Sequence, residues 1–246
     1  MEFLYRLKTV SERLGDESLE VDCLAHPEED FEKVIAVVER ELDPELDERA
    51  RIDLLMARSQ ELRPWFGTVW PSARALGNFV ATLDFSDKTV LEVGCGLALP
   101  SMVAARRGGV VTATDRHPDV LHLLESNLQR NGLEGRVQFA ELDWLEPADT
   151  RAPSDVRYDW VIGSDVLYER HLPAALAKSI ARLVRPGGKV VIADPARPYL
   201  HPFVQAMGEL GFDVESIRDR VIGLSPEPSS TPELVEILVV IFTSPG

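Results

Sequence analysis

Several things are scarce in this 246-residue chain, and each scarcity excludes something. It has two cysteines, Cys23 and Cys95, too few for the disulfide framework of a small secreted domain. No apolar run approaches the roughly 20 residues that span a bilayer. The opening residues 1–8 hold no apolar core of secretory-leader length. A cytoplasmic protein with no membrane partner is therefore expected. The five histidines (His26, His117, His122, His171 and His201) share no ligand spacing, and no Cys-x-x-Cys occurs, so no metal is expected. Positive charge is short as well: 26 Lys and Arg stand against 41 Asp and Glu, a formal net charge of −15. That sign argues against a protein that grips nucleic acid through its overall field.

What is present is an ordinary globular composition. With 45% hydrophobic and 27% charged residues, a chain of this length buries a core without covalent staples. The acidic excess is uneven. Residues 1–62 hold 18 acidic and 8 basic side chains, whereas residues 63–246 hold 23 and 18. Two thirds of the imbalance lies in the first quarter of the chain.

That quarter reads as helical. Phe31, Val34, Ile35, Val38 and Leu42 recur on one helix face, Pro44 interrupts, and a second helix is expected over about 45–61. From residue 72 helices alternate with short β-branched runs. Ser72 is a candidate N-cap for a helix carrying Leu76, Phe79, Val80 and Leu83. Strands are expected over 89–93, 110–114, 136–140, 158–164 and 189–193, with helices over 99–107, 118–131, 172–184 and 201–210. Gly132 stands where a left-handed C-cap belongs. Such βα repetition means a parallel sheet covered on both faces. Its ending differs: 213–219 and 234–242 read as two strands joined by the Pro/Ser-rich stretch 225–233, an antiparallel hairpin.

The strongest local signal is Val90-Leu91-Glu92-Val93-Gly94-Cys95-Gly96-Leu97-Ala98-Leu99. A strand enters a glycine-rich turn, and the turn enters a helix near Pro100. Glycines permit a sharp turn and close backbone approach, with helix N–H groups aimed at a ligand. Asp115 ends the next strand, where a nucleotide-type cofactor presents ribose hydroxyls. The competing role for Asp115 is a solvated loop residue or a helix cap. Gly94, Asp115, Asp143, Ser164–Tyr168 and Asp194 all fall at carboxyl ends of strands, where ligands bind in such sheets.

Residues 90–99 with Asp115 resemble the cofactor half of class I S-adenosylmethionine-dependent methyltransferases. The resemblance covers about residues 62–246, with Ala98 in place of a third loop glycine. It implies an α/β, Rossmann-like, doubly wound sheet of seven mostly parallel strands, closed by an antiparallel C-terminal hairpin. Residues 1–62 would then be an acidic helical extension and 63–246 the S-adenosyl-L-methionine-binding domain. Trp65-Phe66-Gly67-Thr68-Val69-Trp70-Pro71-Ser72 and Asp165-Val166-Leu167-Tyr168 resemble the Asp-x-x-Tyr protein lysine methyltransferases. Asp194-Pro195-Ala196-Arg197 is similar to the Asp-Pro-Gly-Arg stretch of the electron-transfer-flavoprotein lysine methyltransferases. Related bacterial proteins are nicotinamide N-methyltransferase-like, which points to nitrogen as the acceptor atom.

The resemblance implies S-adenosyl-L-methionine as cofactor. Its contacts are expected from Glu92, Gly94, Cys95, Gly96, Leu97, Asp115, Arg116 and Ser164, with Asp143 and Trp144 flanking the adenine and Trp70 covering the cofactor. Trp144 and Trp70 have the ordinary alternative of core packing. Asp165 and Tyr168 are the candidate catalytic pair. A free lysine amine is neutral in only roughly one molecule in a few thousand at pH 7. Asp165 is better suited to orient the amine than to act as a strong base, because a nearby carboxylate raises an amine's pKa. The alternative has Asp165 capping a helix and Tyr168 packing. Arg197 is either a substrate-site element or a loop anchor. The expected acceptor is a lysine of a protein; a small amine or pyridine is the first alternative. More remote alternatives are an NAD-dependent dehydrogenase, against which no Tyr-x-x-x-Lys follows the fourth strand, and a catalytically silent cofactor-binding protein.

Overall fold

A computed structural model describes residues 3–145, 157–223 and 233–246. The first ordered elements depart from the helical expectation for residues 1–62. Strands β1 (Leu7–Leu14) and β2 (Glu17–Leu24) form an antiparallel hairpin, with Leu14 opposite Glu17 and Gly15 at φ +62° in the two-residue turn. Leu19, Val21 and Cys23 point inward on alternate positions and are buried. This period of two was present in the sequence. The expected helices follow as α1 (Pro27–Glu41) and α2 (Glu48–Glu61).

The hairpin is held by two asparagines of α5 (Val120–Arg130) and its C-cap. Asp22 N donates to Asn127 Oδ1 at 2.7 Å, and Asn127 Nδ2 donates to the Asp22 carbonyl at 3.2 Å. One turn later Asn131 repeats the exchange with Glu20, at 3.1 and 2.7 Å. Side-chain amides thus satisfy the open edge of β2 as a neighbouring strand would. Arg74 adds a two-pronged pair to Glu12 at 2.7 and 2.6 Å.

The main sheet comprises β3 (Thr89–Val93), β4 (Val110–Asp115), β5 (Val137–Glu141), β6 (Tyr158–Ser164), β7 (Val184–Asp194), β8 (Asp213–Gly223) and β9 (Glu233–Thr243). Their spatial order is β5-β4-β3-β6-β7-β9-β8. Pairs among β3 to β7 are parallel, and β9 runs antiparallel to both β7 and β8. This is the seven-stranded, mostly parallel α/β sheet with the closing hairpin. The order reverses between β4 and β6, on either side of β3, which opens a crevice at the strands' carboxyl ends. Most of the 225–233 connection lies outside the described residues.

Helices α3 (Pro71–Ala81), α4 (Leu99–Arg106), α6 (Leu172–Leu183) and α7 (Leu200–Glu209) complete the layers. Ser72 is not the cap of α3: Trp70 occupies that position, Pro71 starts the helix, and the Ser72 side chain is buried. Strand β7 begins earlier than the apolar run 189–193 implied. Val184 already pairs with Tyr158, and the register then shifts before Trp160 pairs with Lys189. Gly132 is left-handed, and Leu133 N donates to the Leu128 carbonyl at 2.9 Å, closing α5 in a Schellman turn. Among the described residues no helix is long and apolar enough to cross a membrane.

Candidate active site

The turn after β3 is strongly bent. Gly94, Gly96 and Ala98 all have positive φ, at +62°, +49° and +57°. A Cβ at Gly94 would stand 2.9 Å from Val166 Cγ1 and 3.3 Å from the Trp144 ring. The backbone therefore passes directly under the walls of a cavity, a passage only glycine allows. Ala98 occupies its left-handed position at a cost of about 1 kcal/mol.

Asp115, at the end of β4, fastens this turn. Its Oδ2 accepts from Gly96 N and its Oδ1 from His117 N, each at 3.0 Å. Burial raises its carboxyl above the usual range, opposed by these backbone N–H bonds. Each oxygen keeps a further lone pair, so a hydroxyl can still be bound there.

A cavity of about 730 Å³ opens over the turn, large enough for a nucleoside-sized ligand and part of a second one. Trp70, Gly94, Cys95, Gly96, Leu97, Asp115, Arg116, Asp143, Trp144, Ser164, Asp165 and Tyr168 all line it. Residues from five separate strand ends and loops are thereby brought together. Glu92 is the exception. It is fully buried away from the cavity, where its Oε2 accepts from Ser101 N at 3.0 Å. Ala98 cannot cap α4 with its side chain, so the strand carboxylate takes one of the helix's free N–H groups. Burial pushes the Glu92 carboxyl up to about 8.

On the β5 side, Asp143 Oδ1 accepts from Leu145 N at 2.8 Å, and Arg116 stands 4.0 Å from Asp143 Oδ2. The Trp144 indole N–H is buried without a partner among the described residues. Opposite, Trp70 Nε1 donates to the Trp65 carbonyl at 2.9 Å, with the two rings 5.9 Å apart. The Arg63 guanidinium covers Trp65 at 5.1 Å and Phe31 of α1 at 5.4 Å. The 65–70 stretch is thus a cavity wall, and α1 reaches it through Arg63.

At the end of β6, Asp165 is left-handed at φ +57°, and its N–H donates to the Ala193 carbonyl of β7 at 3.0 Å. Its Oδ1 lies 2.5 Å from Arg197 Nη1, while Oδ2 is buried with no partner among the described residues. Tyr168 is 37% exposed, its hydroxyl beside Arg116, and its pKa is raised by burial. Burial also raises the Cys95 thiol well above its ordinary value.

His117 and Arg63 are among the lining residues that the sequence did not assign to the site. His117 stacks on Phe66 at 4.2 Å, and its Nδ1 accepts from Asp119 N at 3.1 Å. Burial lowers its pKa to about 4, which keeps the ring neutral. The only sequence signal for Arg63 was proximity to the Trp65–Trp70 run. Among the described residues no cluster of His, Cys, Asp or Glu is suited to a metal ion.

The comparisons with known proteins agree with this geometry. A family model described as "Lysine methyltransferase" matches residues 52–205, more than half of the chain. Protein N-lysine methyltransferase METTL21A of Danio rerio is 39% identical over 114 residues, covering 44% of this chain and 51% of that protein. A ubiquinone biosynthesis O-methyltransferase of Xanthomonas oryzae is 36% identical over 118 residues, covering 46% of this chain and 45% of the other. The chain thus spans about half the length of these curated relatives. A solved methyltransferase structure from Pyrococcus furiosus superposes with a TM-score of 0.54 at 18% identity, over 72% of this chain and 83% of that one. That likeness concerns the fold alone. With the family model matched across the cavity-building residues, this chain belongs to the lysine methyltransferase family.

Proposed function

We propose that this protein transfers a methyl group from S-adenosyl-L-methionine to the side-chain amine of a lysine in a protein substrate. The observation that carries the reading is the Asp165 carboxylate. It lines the cavity at the end of β6, three residues before Tyr168, with Oδ1 fixed by Arg197 and Oδ2 buried without a partner among the described residues.

The cavity fits the cofactor. The left-handed turn at Gly94 and Gly96 leaves backbone where a Cβ would collide, which suits close approach of the methionine part. Asp115 has free lone pairs for ribose hydroxyls, and Asp143 with the Trp144 N–H, which has no partner among the described residues, suits an adenine edge. Cys95, Leu97, Arg116, Ser164 and Trp70 complete the enclosure. When bound, the cofactor supplies an electrophilic methyl on a sulfonium. The chain supplies position.

Asp165 accepts a hydrogen bond from the incoming amine and aims its lone pair, while the Tyr168 ring and hydroxyl flank it. The protein lysine is favoured over a small amine because the Asp-x-x-Tyr spacing stands in a chain matched by the lysine methyltransferase model. Similarity to an O-methyltransferase over part of the chain carries no acceptor preference. Incubation with tritiated cofactor and a host lysate is expected to label a protein band with a +14 Da step on lysine. Label confined to the small-molecule fraction would overturn the protein-acceptor reading. Stabilisation by NAD but not by S-adenosylhomocysteine would overturn the cofactor.

A further inference from the structure

The strand ends of β6 and β7 meet in a three-group ion cluster, of which Asp165 and Arg197 line the cavity and Asp194 lies buried behind them. Arg197 Nη1 is 2.5 Å from Asp165 Oδ1 and 3.2 Å from Asp194 Oδ2, and Arg197 N donates to Asp194 Oδ1 at 2.7 Å. Asp194 is fully buried, and burial raises its carboxyl against the pull of Arg197. Ala196, left-handed at φ +58°, folds the loop so that the guanidinium returns over both carboxylates. The arginine is therefore locked from below by one aspartate and presented to the other.

The geometry points to Arg197 as a positioning residue that lets Asp165 hold a lysine amine without holding its proton. This inference rests on the lysine reading above. A carboxylate beside an amine stabilises the ammonium form, which has no lone pair to offer. Asp165 and Asp194 together carry two negative charges at the acceptor site, and Arg197 cancels one of them. It also fixes Oδ1 at 2.5 Å, while Oδ2 is buried with no partner among the described residues.

The other charges on the cavity do not substitute for it. Asp115, Asp143 and Glu169 are matched in number by Arg63, Arg116 and Arg170, and the titratable Cys95, His117, Tyr168, His171 and Tyr199 complete the lining. Without Arg197 the site would gain one net negative charge at the oxygen that meets the amine. Arg116 is engaged with Tyr168 and Asp143, not with Asp165.

The test compares kcat against pH for a lysine peptide in wild type, Arg197→Gln, Arg197→Lys and the double variant Asp194→Asn/Arg197→Gln. The double variant avoids stranding a buried Asp194 charge, which alone could prevent folding. Arg197→Gln is expected to move the acid limb of the kcat profile up by about one pH unit, a deficit of about tenfold at neutral pH that alkaline pH restores, and the double variant, which also loses the Asp194 charge, to move it up by less. KM for the peptide should not rise, because the bared carboxylate binds ammonium better. Arg197→Lys should keep the limb near its wild-type position with some loss of kcat, since an ammonium lacks the fork that spans both carboxylates. Affinity for S-adenosylhomocysteine, measured by calorimetry, should be unchanged throughout. A uniform fall in kcat at every pH, or a raised KM with an unmoved limb, would overturn the role. A wild type that leaves the peptide unlabelled overturns the lysine reading and this inference together, whereas a labelled peptide with an unmoved limb overturns this inference alone.

Discussion

The α-carbon of Gly96 faces the Phe66 carbonyl so closely that a Cβ on it would stand 2.9 Å from that oxygen. The aromatic wall and the glycine turn are thus packed backbone against backbone. Gly96→Ala must displace one of them and also hold φ near +49°. Expected outcomes are a loss of about 1–2 kcal/mol in stability and an S-adenosylhomocysteine Kd raised at least about tenfold. Calorimetric titration beside a thermal melt checks both.

Asp115 fastens the same turn from the other side. Asp115→Ala removes acceptors for Gly96 N and His117 N as well as for the ribose. Hydrogen bonds to a charged group contribute about 1.5–3 kcal/mol, so cofactor affinity should fall about 10- to 100-fold. Asp115→Asn, which keeps one acceptor oxygen, should lose less. Unequal Kd values for the two variants are the readout.

Glu92 makes stability depend on pH. Unfolded, its carboxyl loses a proton near 4.5; folded, it keeps it up to about 8. Between those values the folded state binds more protons, so this group's contribution to stability falls as pH rises through the window. Glu92→Gln retains an acceptor for Ser101 N and never ionises. Its melting temperature should exceed wild type by several degrees at pH 8 and by little at pH 5. Equal differences at both pH values would contradict the assignment.

Asp165→Asn separates positioning from folding. Asparagine tolerates a left-handed backbone, so the φ of +57° is kept while the charge is lost. We expect kcat on a lysine peptide to fall about 100-fold with S-adenosylhomocysteine affinity unchanged. Tyr168→Phe, keeping the ring, should cost less. An Asp165→Asn enzyme with wild-type kcat would remove the carboxylate from the proposed chemistry.

The acidic helices offer a further measurement. Glu32, Glu39 and Glu41 are exposed on α1, which touches the cavity wall where Phe31 meets Arg63. Replacing all three by Gln should lower kcat/KM for a basic protein and flatten its salt dependence, while kcat for a short neutral peptide stays unchanged. Identical salt slopes would leave these charges with solubility alone.

Local chemistry in the chain was enough for the βα alternation, the strand–glycine–helix turn, Asp115 at the end of β4 and the closing hairpin. Each depends on a periodicity or a turn residue that acts within a few positions. The β1–β2 hairpin was harder to read. Its alternation at Leu19, Val21 and Cys23 is short, and its edge is completed by Asn127 and Asn131, separated from it by 105 and 111 residues. Glu92 is held away from the cavity by the Ser101 N–H nine residues on, a contact made only when the glycine turn folds α4 back against β3. Tertiary structure alone resolved Arg197, whose partner Asp165 lies on the neighbouring parallel strand end. Opposite charges so placed are adjacent only after β6 and β7 have paired, and that pairing depends on the burial of the whole sheet.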